Sequence, residues 1–590
     1  MLEAKHPVLR QWLDKAKTNW VLLALVGLMA YAFLLRTLHL LKPDHYYIVN
    51  PDSYFFDRLA QGIMSGEPLG SYPGSHVAFT LHSGMAYPLA YIAMAVSSVF
   101  NMSSADALGL ASKFLPSLLG VISLLVIYVA ATKIFNRRVG LFSAVTWALM
   151  LTAILLGAAG FIDRDSLSIL LIMTGAFLFY LSKGWHLKVA NKDIGWLVGG
   201  LAVFAIEGLV YLEWDAKGAV LLPIILIAYF VVKVLFGYLG QVETEPSISR
   251  RVAAAVGQTN WHTFSLVMLG NIAVVAAIPH RAISTFKFAS GLIQSGEGTG
   301  VVETQGISFP NLLVYELFLI PMALGIYVAW KKRNNGALFF SCWFLSLLVL
   351  SIFIQRVLLY ATPAACVLSG IGLGLLWDRR SWERFANRVT FSGVGQQLAL
   401  TTWLGWSWFQ RYGGKVLVAG LLGLTLLLST FSAFSLASLP VVAADREWQD
   451  ALTYIREETP QNAIVMTQWS WGYWILDLGQ RTLVVDNGYY NHTPAKDRDV
   501  ALAYFTSDPS EAAKIMKTYG ASYLIFSQID LDFTKSILGW ADLDKKYDSF
   551  PGTSLFRRTL CGDFQAGGGL EVVYRSVPDS EVVILRLSQE

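Results

Sequence analysis

Three short acidic stretches stand out because each lies in a polar gap between long apolar runs. The first is "VNPDSYFFDR", with Asp52 and Asp57, and the second is "GFIDRDSL", with Asp163 and Asp165. The third is the glycine-rich "SGEGTGVVETQG", which holds Glu303. An Asp-x-Asp pair offers the hard oxygen ligands that Mg²⁺ and Mn²⁺ prefer, and such a cation can neutralise a phosphate leaving group. The plainer interpretation, that these are solvated loop acids, stays open at this point.

Two other stretches combine polar or aromatic groups in an unusual setting. "IFIQRVLLYATPAA" puts Arg356 at the outer end of a predicted span, where it either snorkels to the interface or faces an acidic partner. "QWSWGYW", residues 468–474, gathers aromatic rings around a glycine in the polar C-terminal third. Such rings either anchor a protein at the membrane interface or form the wall of a pocket for a peptide or sugar.

The composition indicates an integral membrane protein. Of 590 residues, 55% are hydrophobic and 15% are charged, whereas soluble proteins carry about 25% charged residues. The net charge of +4 gives no argument for nucleic acid, and the three cysteines indicate no disulfide framework. A span takes about 20 mostly apolar residues, so we expect about 11 to 13 spans. They lie near residues 19–40, 109–132, 139–160, 166–183, 193–212, 216–236, 264–280, 311–330, 336–355, 357–377 and 415–438, with 86–105 and 396–411 as further candidates.

The basic loops predict the orientation of these spans. "KIFNRR", "SKGWHLKVANK", "KKR" and "DRRSWERFANR" fall on the same side as the N-terminus if residues 86–105 do not cross. The positive-inside rule then puts the N-terminus in the cytoplasm and the C-terminal region outside, and we expect the cell (inner) membrane. No small-residue cleavage site follows the first apolar run, so we expect an uncleaved first span.

The pattern changes at the boundary between a transmembrane domain, residues 1–440, and a predicted extracytoplasmic mixed α/β domain, residues 441–590. "REWQDALTYIREETP" predicts an amphipathic helix that ends before Pro460, and "DPSEAAKIMKTYG" predicts a helix between Asp508 and Gly520. The stretches "NAIVMTQ", "RTLVVDN", "SYLIFSQ", "LEVVYRS" and "VVILRL" predict short strands.

The order of these features resembles the catalytic subunit of the oligosaccharyltransferase family, in its single-subunit archaeal or bacterial form. Besides the acidic loops, "RVLLYATP" matches the family pattern R-x-x-x-Y-x-x-P, "DFTK" matches Asp-x-x-Lys, and "VVDNGYYNHT" resembles a segment that follows the family's tryptophan motif. The resemblance implies a polytopic α-helical GT-C type fold. It also implies transfer of an oligosaccharide from a polyprenyl phosphate or diphosphate to Asn in Asn-x-Ser/Thr of an acceptor protein, with inversion at the anomeric carbon.

The resemblance also implies roles for individual residues. Asp52 and Glu303 would be catalytic, and Asp52, Asp163 and Asp165 would hold Mn²⁺ or Mg²⁺. The implied substrate-binding residues are Arg356, Gln468, Trp469, Ser470, Trp471, Gly472, Asp532 and Lys535. The partners would be the polyprenyl-linked donor, the acceptor polypeptide and membrane lipid, and we expect the protein to work as a single subunit.

One departure from the family concerns the tryptophan motif, Trp-Trp-Asp-Tyr-Gly. Here the same five positions read Gln468 to Gly472, so Ser470 stands where the family has the aspartate that accepts a hydrogen bond from the acceptor Ser/Thr. A hydrogen bond to a charged group contributes about 1.5–3 kcal/mol, against about 0.5–1.5 kcal/mol for a neutral one. We therefore expect recognition of the acceptor hydroxyl to be weaker or altered.

Three alternatives stay open on the sequence. A related GT-C glycosyltransferase that acts on a hydroxyl or lipid acceptor would also have the acidic first loop, although Glu303 and "DFTK" argue against it. A transporter of lipid-linked sugar would need more ionisable groups within its spans than this chain has. An inactive member of the family would account for Ser470.

Overall fold

The structure, a computed structural model, describes residues 7–41, 51–66, 85–159, 162, 164–182, 188–189, 192–193, 198–203, 205, 221–239, 241, 247–257, 264–269, 318–352, 355–378, 380–384, 403–436, 446–485, 494–576 and 581–588. Most of the predicted span at 193–212 lies outside these ranges.

Long helices form the membrane part. In chain order they are α1 (Pro7–Thr37), α2 (Pro51–Ser65), α3 (Ala86–Phe100), α4 (Ser104–Ile134), α5 (Arg137–Leu149), α6 (Leu151–Leu156), α7 (Arg164–Ser182), α8 (Leu221–Leu239), α9 (Ile248–Gly257), α10 (Leu319–Lys332), α11 (Asn335–Ser351), α12 (Thr362–Trp377) and α13 (Trp403–Leu436). Short 3-10 turns cover Leu38–Leu41 and Gln355–Ala361, and a two-stranded hairpin pairs β1 (Lys188–Val189) with β2 (Lys192–Asp193).

Several of these helices are long and apolar enough to cross a bilayer. The five full-length stretches in the described residues are Trp20–Thr37, Ser104–Ile134, Leu221–Leu239, Val357–Trp377 and Arg411–Phe431. Shorter apolar helices cover Ala86–Phe100, Asp165–Leu181 and Asn335–Ser351. The protein is therefore a multi-pass membrane protein. The expected total of about 11 to 13 spans stays a prediction, because part of the apolar sequence lies outside the described residues.

α12 lies at the centre of the membrane part and approaches α10 very closely. Of the apolar stretch Val357–Trp377, which comprises α12 and part of the turn before it, 89% is buried. A Cβ at Gly372 would lie 1.9 Å from the Pro321 carbonyl oxygen, and a Cβ at Gly325 would lie 2.2 Å from that of Leu368. Glycine permits this contact, which is typical of helices that associate in lipid through small residues. The contact holds α12 against α10.

A buried arginine joins α1 to the segment that leads to α7. Arg36 is fully buried, and its guanidinium donates to the carbonyl oxygens of Ala32 at 2.9 Å and Ala153 at 2.8 Å. The backbone N–H of Ala159 in turn donates to the Arg36 carbonyl oxygen at 2.9 Å. These bonds hold the chain between α6 and α7 close to the end of α1.

The C-terminal domain is built on a six-stranded mixed sheet, which confirms the predicted mixed α/β class and contains one strand more than the five predicted. Its helices are α14 (Arg446–Glu458), α15 (Gly472–Asp477), α16 (Pro494–Phe505), α17 (Pro509–Thr518), α18 (Thr534–Trp540) and α19 (Leu555–Leu560). Its strands are β3 (Ile464–Met466), β4 (Thr482–Leu483), β5 (Tyr523–Ser527), β6 (Ala566–Gly567), β7 (Leu570–Arg575) and β8 (Val582–Leu587). The order across the sheet is β4-β3-β5-β8-β7-β6, with β3 parallel to β4 and β5 and the other pairs antiparallel.

The five predicted strands and both predicted helices are confirmed. Asp508 caps α17 by accepting from the backbone N–H of Ser510, and Gly520, at φ +65°, follows the helix in the left-handed region. Every residue of β5 is buried because both faces of the sheet are covered. Tyr523 and Ile525 belong to the core shared with α2 and α3, whereas Leu524 and Phe526 belong to the core under α16 and α19. The boundary predicted at residue 440 lies outside the described residues and stays a prediction.

Candidate active site

The first acidic segment is attached to the second by a hydrogen bond at the start of α2. Asp52 is the second residue of that helix, and its side chain lies outside the part of the chain that the structure describes. The hydroxyl of Ser53, which is fully buried, donates to the carbonyl oxygen of Ile162 at 2.9 Å. Asp163, the next residue, lies outside the described residues. The bond therefore brings the N-terminus of α2 against the segment that contains the Asp-x-Asp pair.

The second acidic segment meets the predicted arginine motif through Tyr360. Asp165 lies in the first turn of α7, is 3% exposed, and accepts a 2.6 Å hydrogen bond from the Tyr360 hydroxyl. Tyr360 and the backbone of Arg356 share the 3-10 turn before α12. The Trp343 indole donates to the Tyr360 carbonyl oxygen at 3.0 Å and so fixes the turn to α11. Three segments that are distant in sequence therefore converge at one point.

Tyr360 is a functional candidate that the reading of the sequence missed. Its signal was present as the tyrosine of R-x-x-x-Y-x-x-P, where only the arginine was given a role. The side chain of Arg356 and all of Glu303 lie outside the described residues, so their predicted roles stay predictions.

The one predicted metal ligand whose side chain the structure describes, Asp165, has the chemistry that the predicted cation needs. Asp165 supplies a carboxylate, the ligand type that Mg²⁺ and Mn²⁺ prefer, at the junction of the segments that carry Asp52 and Asp163. Among the described residues there is no group of three or more side chains with metal-ligand chemistry. Of the three predicted ligands, Asp52, Asp163 and Asp165, the structure describes the side chain of Asp165 only. The metal site therefore stays a prediction.

The divergent tryptophan motif forms a 3-10 turn that continues directly into α15. The turn covers Trp469–Trp471, and the Gln468 side chain caps it by accepting from the backbone N–H of Ser470 at 2.9 Å. Gly472 continues in the right-handed helical region with φ −53°. Gln468 and Ser470 are both buried, at 0% and 6% exposure. The side-chain oxygen of Gln468 is therefore already used in holding the turn.

Most of the aromatic rings of this stretch pack into the core of the domain. Trp471 and Trp474 are fully buried with their ring centroids 4.8 Å apart, and Trp448 of α14 packs on both at 5.3 Å. Trp469 is half-buried and packs on Trp540 of α18 at 6.4 Å. The rings of Trp471 and Trp474 thus anchor the turn in the domain core. Contact of the motif residues with an acceptor stays a prediction.

A buried carboxyl group that the sequence analysis did not single out holds the motif turn. Asp530 is fully buried and accepts from the Trp471 indole at 2.6 Å, the Ser527 backbone N–H at 2.9 Å and the Tyr504 hydroxyl at 3.1 Å. Burial raises the pKa of Asp530 to about 7, against the lowering effect of these donors. The signal in the sequence was the Ser-x-x-Asp of a capping box, Ser527 to Asp530, which the structure contains.

The predicted Asp-x-x-Lys residues follow Asp530 on the same short segment. Asp532 ends the 3-10 turn Gln528–Leu531, and Lys535 is the second residue of α18. Both are exposed. Their exposure, next to a buried carboxyl that holds the motif turn, leaves them accessible to a polypeptide at the domain surface.

Aromatic contacts join the motif helix α15 to the acidic helix α2. The Phe55 and Tyr473 rings are stacked with centroids 4.9 Å apart, and Tyr54 meets Trp474 edge to face at 6.3 Å. The helix whose first turn contains Asp52 therefore packs directly on the helix that continues the motif. The segment that carries Asp52 and the predicted acceptor motif belong to one interface.

Comparisons with known proteins support the resemblance to the oligosaccharyltransferase family. No family model matches the chain. It is 23% identical over 640 residues to dolichyl-phosphooligosaccharide-protein glycotransferase 1 of Pyrococcus furiosus, a match that covers 94% of this chain and 60% of that protein. It is 26% identical over 235 residues to the Arabidopsis thaliana dolichyl-diphosphooligosaccharide–protein glycosyltransferase subunit STT3B, covering 36% of this chain and 31% of the relative. The chain is therefore similar in sequence to these oligosaccharide–protein glycosyltransferases. The matches span less than two thirds of the length of these relatives.

Solved structures confirm the predicted GT-C fold. The archaeal oligosaccharyltransferase AglB of Archaeoglobus fulgidus, in complex with an inhibitory peptide and a dolichol-phosphate, superposes with a TM-score of 0.70 at 14% identity, covering 95% of this chain and 80% of that one. ArnT of Cupriavidus metallidurans, bound to undecaprenyl phosphate, superposes with a TM-score of 0.54 at 13% identity, covering 97% and 99%. At these identities the likeness concerns the fold.

Proposed function

We propose that the protein transfers an oligosaccharide from a polyprenyl phosphate or diphosphate carrier to the side-chain amide of Asn in Asn-x-Ser/Thr. The observation that carries the proposal is the Tyr360–Asp165 hydrogen bond, which joins the acidic start of α7 to the arginine motif. The packing of α2 on α15 adds the acceptor motif to the same interface. The names of the relatives, and the peptide and dolichol-phosphate bound to AglB, support these substrate classes.

The mechanism follows from the weakness of an amide as a nucleophile. Asp52 and Glu303 orient and polarise the acceptor amide, whose nitrogen attacks the anomeric carbon. The new C–N bond replaces the bond from that carbon to the lipid-linked phosphate, and the proton lost from the nitrogen passes to a carboxylate or to water. Asp165 keeps its orientation through the Tyr360 hydroxyl. Asp52, Asp163 and Asp165 would hold Mn²⁺ or Mg²⁺, and a cation bound there would supply positive charge beside the departing phosphate. Attack from the face opposite the leaving group inverts the anomeric centre.

The proposal includes a location for the reaction. The N-terminus is cytoplasmic, the C-terminal domain is extracytoplasmic, and the protein acts in the cell (inner) membrane as a single subunit. The distribution of basic loops supports this orientation.

Incubation of the purified protein with a lipid-linked oligosaccharide extract and an acceptor peptide tests the proposal. We expect a peptide product heavier by one glycan, identified by mass, and no product from the matched peptide with Gln in place of Asn. A product on a hydroxyl group or a lipid would instead favour the second candidate, a GT-C glycosyltransferase with another acceptor.

The motif predicts reduced discrimination at the residue two positions after the acceptor Asn. A site in which a carboxylate accepts a hydrogen bond from the peptide hydroxyl strongly rejects peptides that lack the hydroxyl. Here Ser470 is neutral, and the side chain of Gln468 caps the turn. We expect peptides with Ala at this position to be modified at a rate within about 10-fold of those with Thr, a difference of about 1.4 kcal/mol. The kcat/KM ratio for the two peptides is the measurement.

Two variants act as controls on this expectation. Ser470→Asp restores the family aspartate and should increase the preference for Thr over Ala, whereas Ser470→Ala should leave the preference close to that of the wild type. Discrimination by the wild type as strict as that of a Trp-Trp-Asp enzyme would contradict the prediction and would indicate that another residue, such as Lys535, contacts the hydroxyl.

A further inference from the structure

A cleft of about 760 Å³ opens between the membrane part and the C-terminal domain. α2 and the first turns of α4 form one wall, and α14 and the end of α15 form the other. The walls combine apolar side chains, among them Leu108 and Leu452, with the carboxyl groups of Asp57 and Asp477. Asp57 lies about 140° from Asp52 around an ideal helix. The cleft therefore faces a different side of α2 from the predicted catalytic carboxylate.

The two carboxyl groups in the cleft differ in their hydrogen bonds. Each aspartate is 8% exposed. Asp57 accepts from the Ser112 hydroxyl and from the Gln61 amide, the latter at 3.1 Å. In the part of the chain that the structure describes, no hydrogen-bond donor lies against the carboxyl group of Asp477. A buried carboxylate without such a donor loses hydration that nothing in its surroundings replaces.

Two carboxyl groups, those of Asp57 and Asp477, and one guanidinium, that of Arg456, line the cleft. Burial raises the pKa of Asp57 and Asp477, and the charge of Asp57 raises the pKa of Asp477 further, while Arg58 has a smaller opposite effect. Arg456, on the rim, donates to Glu457 at 3.0 Å and to the Leu478 carbonyl at 3.4 Å, so its guanidinium is held by its own domain. These shifts favour the neutral carboxyl groups, and a cation bound between the two groups would lower both pKa values and favour the charged forms.

We propose that this cleft binds the side chain of a lysine on an acceptor polypeptide. The ammonium group sits between Asp57 and Asp477, and the methylene stem packs against Leu108 and Leu452. The inference rests on the proposed function for the identity of the polypeptide as an acceptor. It adds that the protein recognises a basic residue at some distance from the modified Asn.

The shape and lining of the cleft favour lysine over other cations. An ammonium group carries three donors that point in different directions and can meet carboxylates from two helices, whereas the planar fork of arginine suits a single carboxylate. A divalent ion such as Ca²⁺ takes about 6 to 8 oxygen ligands, but apolar side chains form much of the walls here. The four-carbon stem of lysine buries readily on such a surface.

The position of the cleft favours a polypeptide that also occupies the motif. Tyr54 lines the cleft and packs on Trp474, which in turn packs on Trp471 of the motif turn. The cleft is therefore separated from the motif by this row of rings. A chain bound across the domain surface can reach both.

Saturation-transfer NMR on the full-length protein in detergent tests the proposal without any transfer reaction. The probe is the blocked peptide acetyl-Gly-Lys-Gly-amide, which contains no Asn, and its matched control has norleucine in place of lysine. We expect the lysine peptide to bind at least about fivefold more tightly than the control, and Asp477→Asn or Asp57→Asn to remove that difference. Asp450→Asn, which removes an exposed carboxylate from α14, should leave it unchanged.

The lysine and norleucine peptides are compared on the wild-type protein, so this part of the test does not depend on whether a variant folds. Equal binding of the lysine and norleucine peptides would overturn the proposal. Loss of the difference in Asp450→Asn would show that only general surface charge attracts the probe, and full competition by 1 equivalent of Ca²⁺ per protein would assign the cleft to a metal ion. Because the probe cannot accept a glycan, failure of this test and failure of the proposed transfer activity are distinguishable.

Discussion

Asp165→Ala is expected to lower oligosaccharide transfer by roughly 100-fold or more, the usual effect of removing a group that stabilises transition-state charge. Tyr360→Phe should lower it by about 10- to 100-fold, because loss of an outer hydrogen bond misorients a ligand without removing it. Tyr360 is fully enclosed beside Asp165 with its hydroxyl 2.6 Å from the carboxylate. The measurement is the initial rate of peptide glycosylation at saturating donor.

The Tyr360→Phe variant has a matched control on α10. Tyr327 is 49% exposed and its hydroxyl contacts Lys331 on the same helix, so Tyr327→Phe should leave the rate unchanged. Trp343 still holds the backbone of residue 360 in Tyr360→Phe, so that variant should keep the turn before α12 folded. A Tyr360→Phe protein with wild-type turnover would contradict the role assigned to this hydroxyl.

The same site predicts the response to metal removal. EDTA should abolish transfer, and Mn²⁺ or Mg²⁺ should restore it in the wild type but not in Asp165→Ala. Tyr360→Phe should need a higher metal concentration for half-maximal rate, which a merely structural role of the tyrosine would not produce. Full activity of the wild type in EDTA would remove the cation from the mechanism.

The parts of the fold that could be predicted from the sequence depend on local patterns. Apolar runs indicated the spans, and the strands of the C-terminal domain were visible because each is bounded by turn residues and contains β-branched or aromatic side chains. The 3-10 turn before α12 was not predicted, because the apolar run continues through it. The close approach of Gly372 to Pro321 depends on which helices are neighbours, and a single sequence does not contain that information.

In the candidate site, too, the residues that could be predicted belong to local sequence patterns, and the residues that were missed depend on distant partners. Asp165 and Arg356 stood out because Asp165 belongs to an Asp-x-Asp pair between two apolar runs and Arg356 begins the pattern R-x-x-x-Y-x-x-P. Tyr360 and Asp530 did not, since each has a role only through a partner far away in sequence: the separation is 195 residues for Tyr360 and Asp165, and 59 residues for Trp471 and Asp530. The aromatic stretch was predicted as a binding wall, but whether a ring faces a ligand or the core depends on α14 and α2, which pack around it.

The second large effect concerns Asp530, whose replacement by alanine should loosen the motif turn. Two donors, the Trp471 indole and the Ser527 backbone N–H, would lose their acceptor, and each buried unsatisfied donor costs about 1–3 kcal/mol. The Tyr504 hydroxyl has a second acceptor in the Ile525 carbonyl at 2.9 Å and stays satisfied. We therefore expect a loss of about 2–6 kcal/mol, measured as faster hydrogen–deuterium exchange of the amides in β5 and α15.

The pH dependence of that stability identifies the carboxyl group as its source. Burial raises the pKa of Asp530 to about 7 in the folded protein, while the unfolded chain titrates near 3.9. Between these values the folded state binds more protons, so the contribution of Asp530 to stability is fully present below about pH 4 and is lost as the pH rises to about 7. Asp530→Ala should remove this slope, whereas Asp532→Ala, which changes an exposed carboxylate two residues away, should retain it. Equal slopes in Asp530→Ala and the wild type would show that another group titrates in this window.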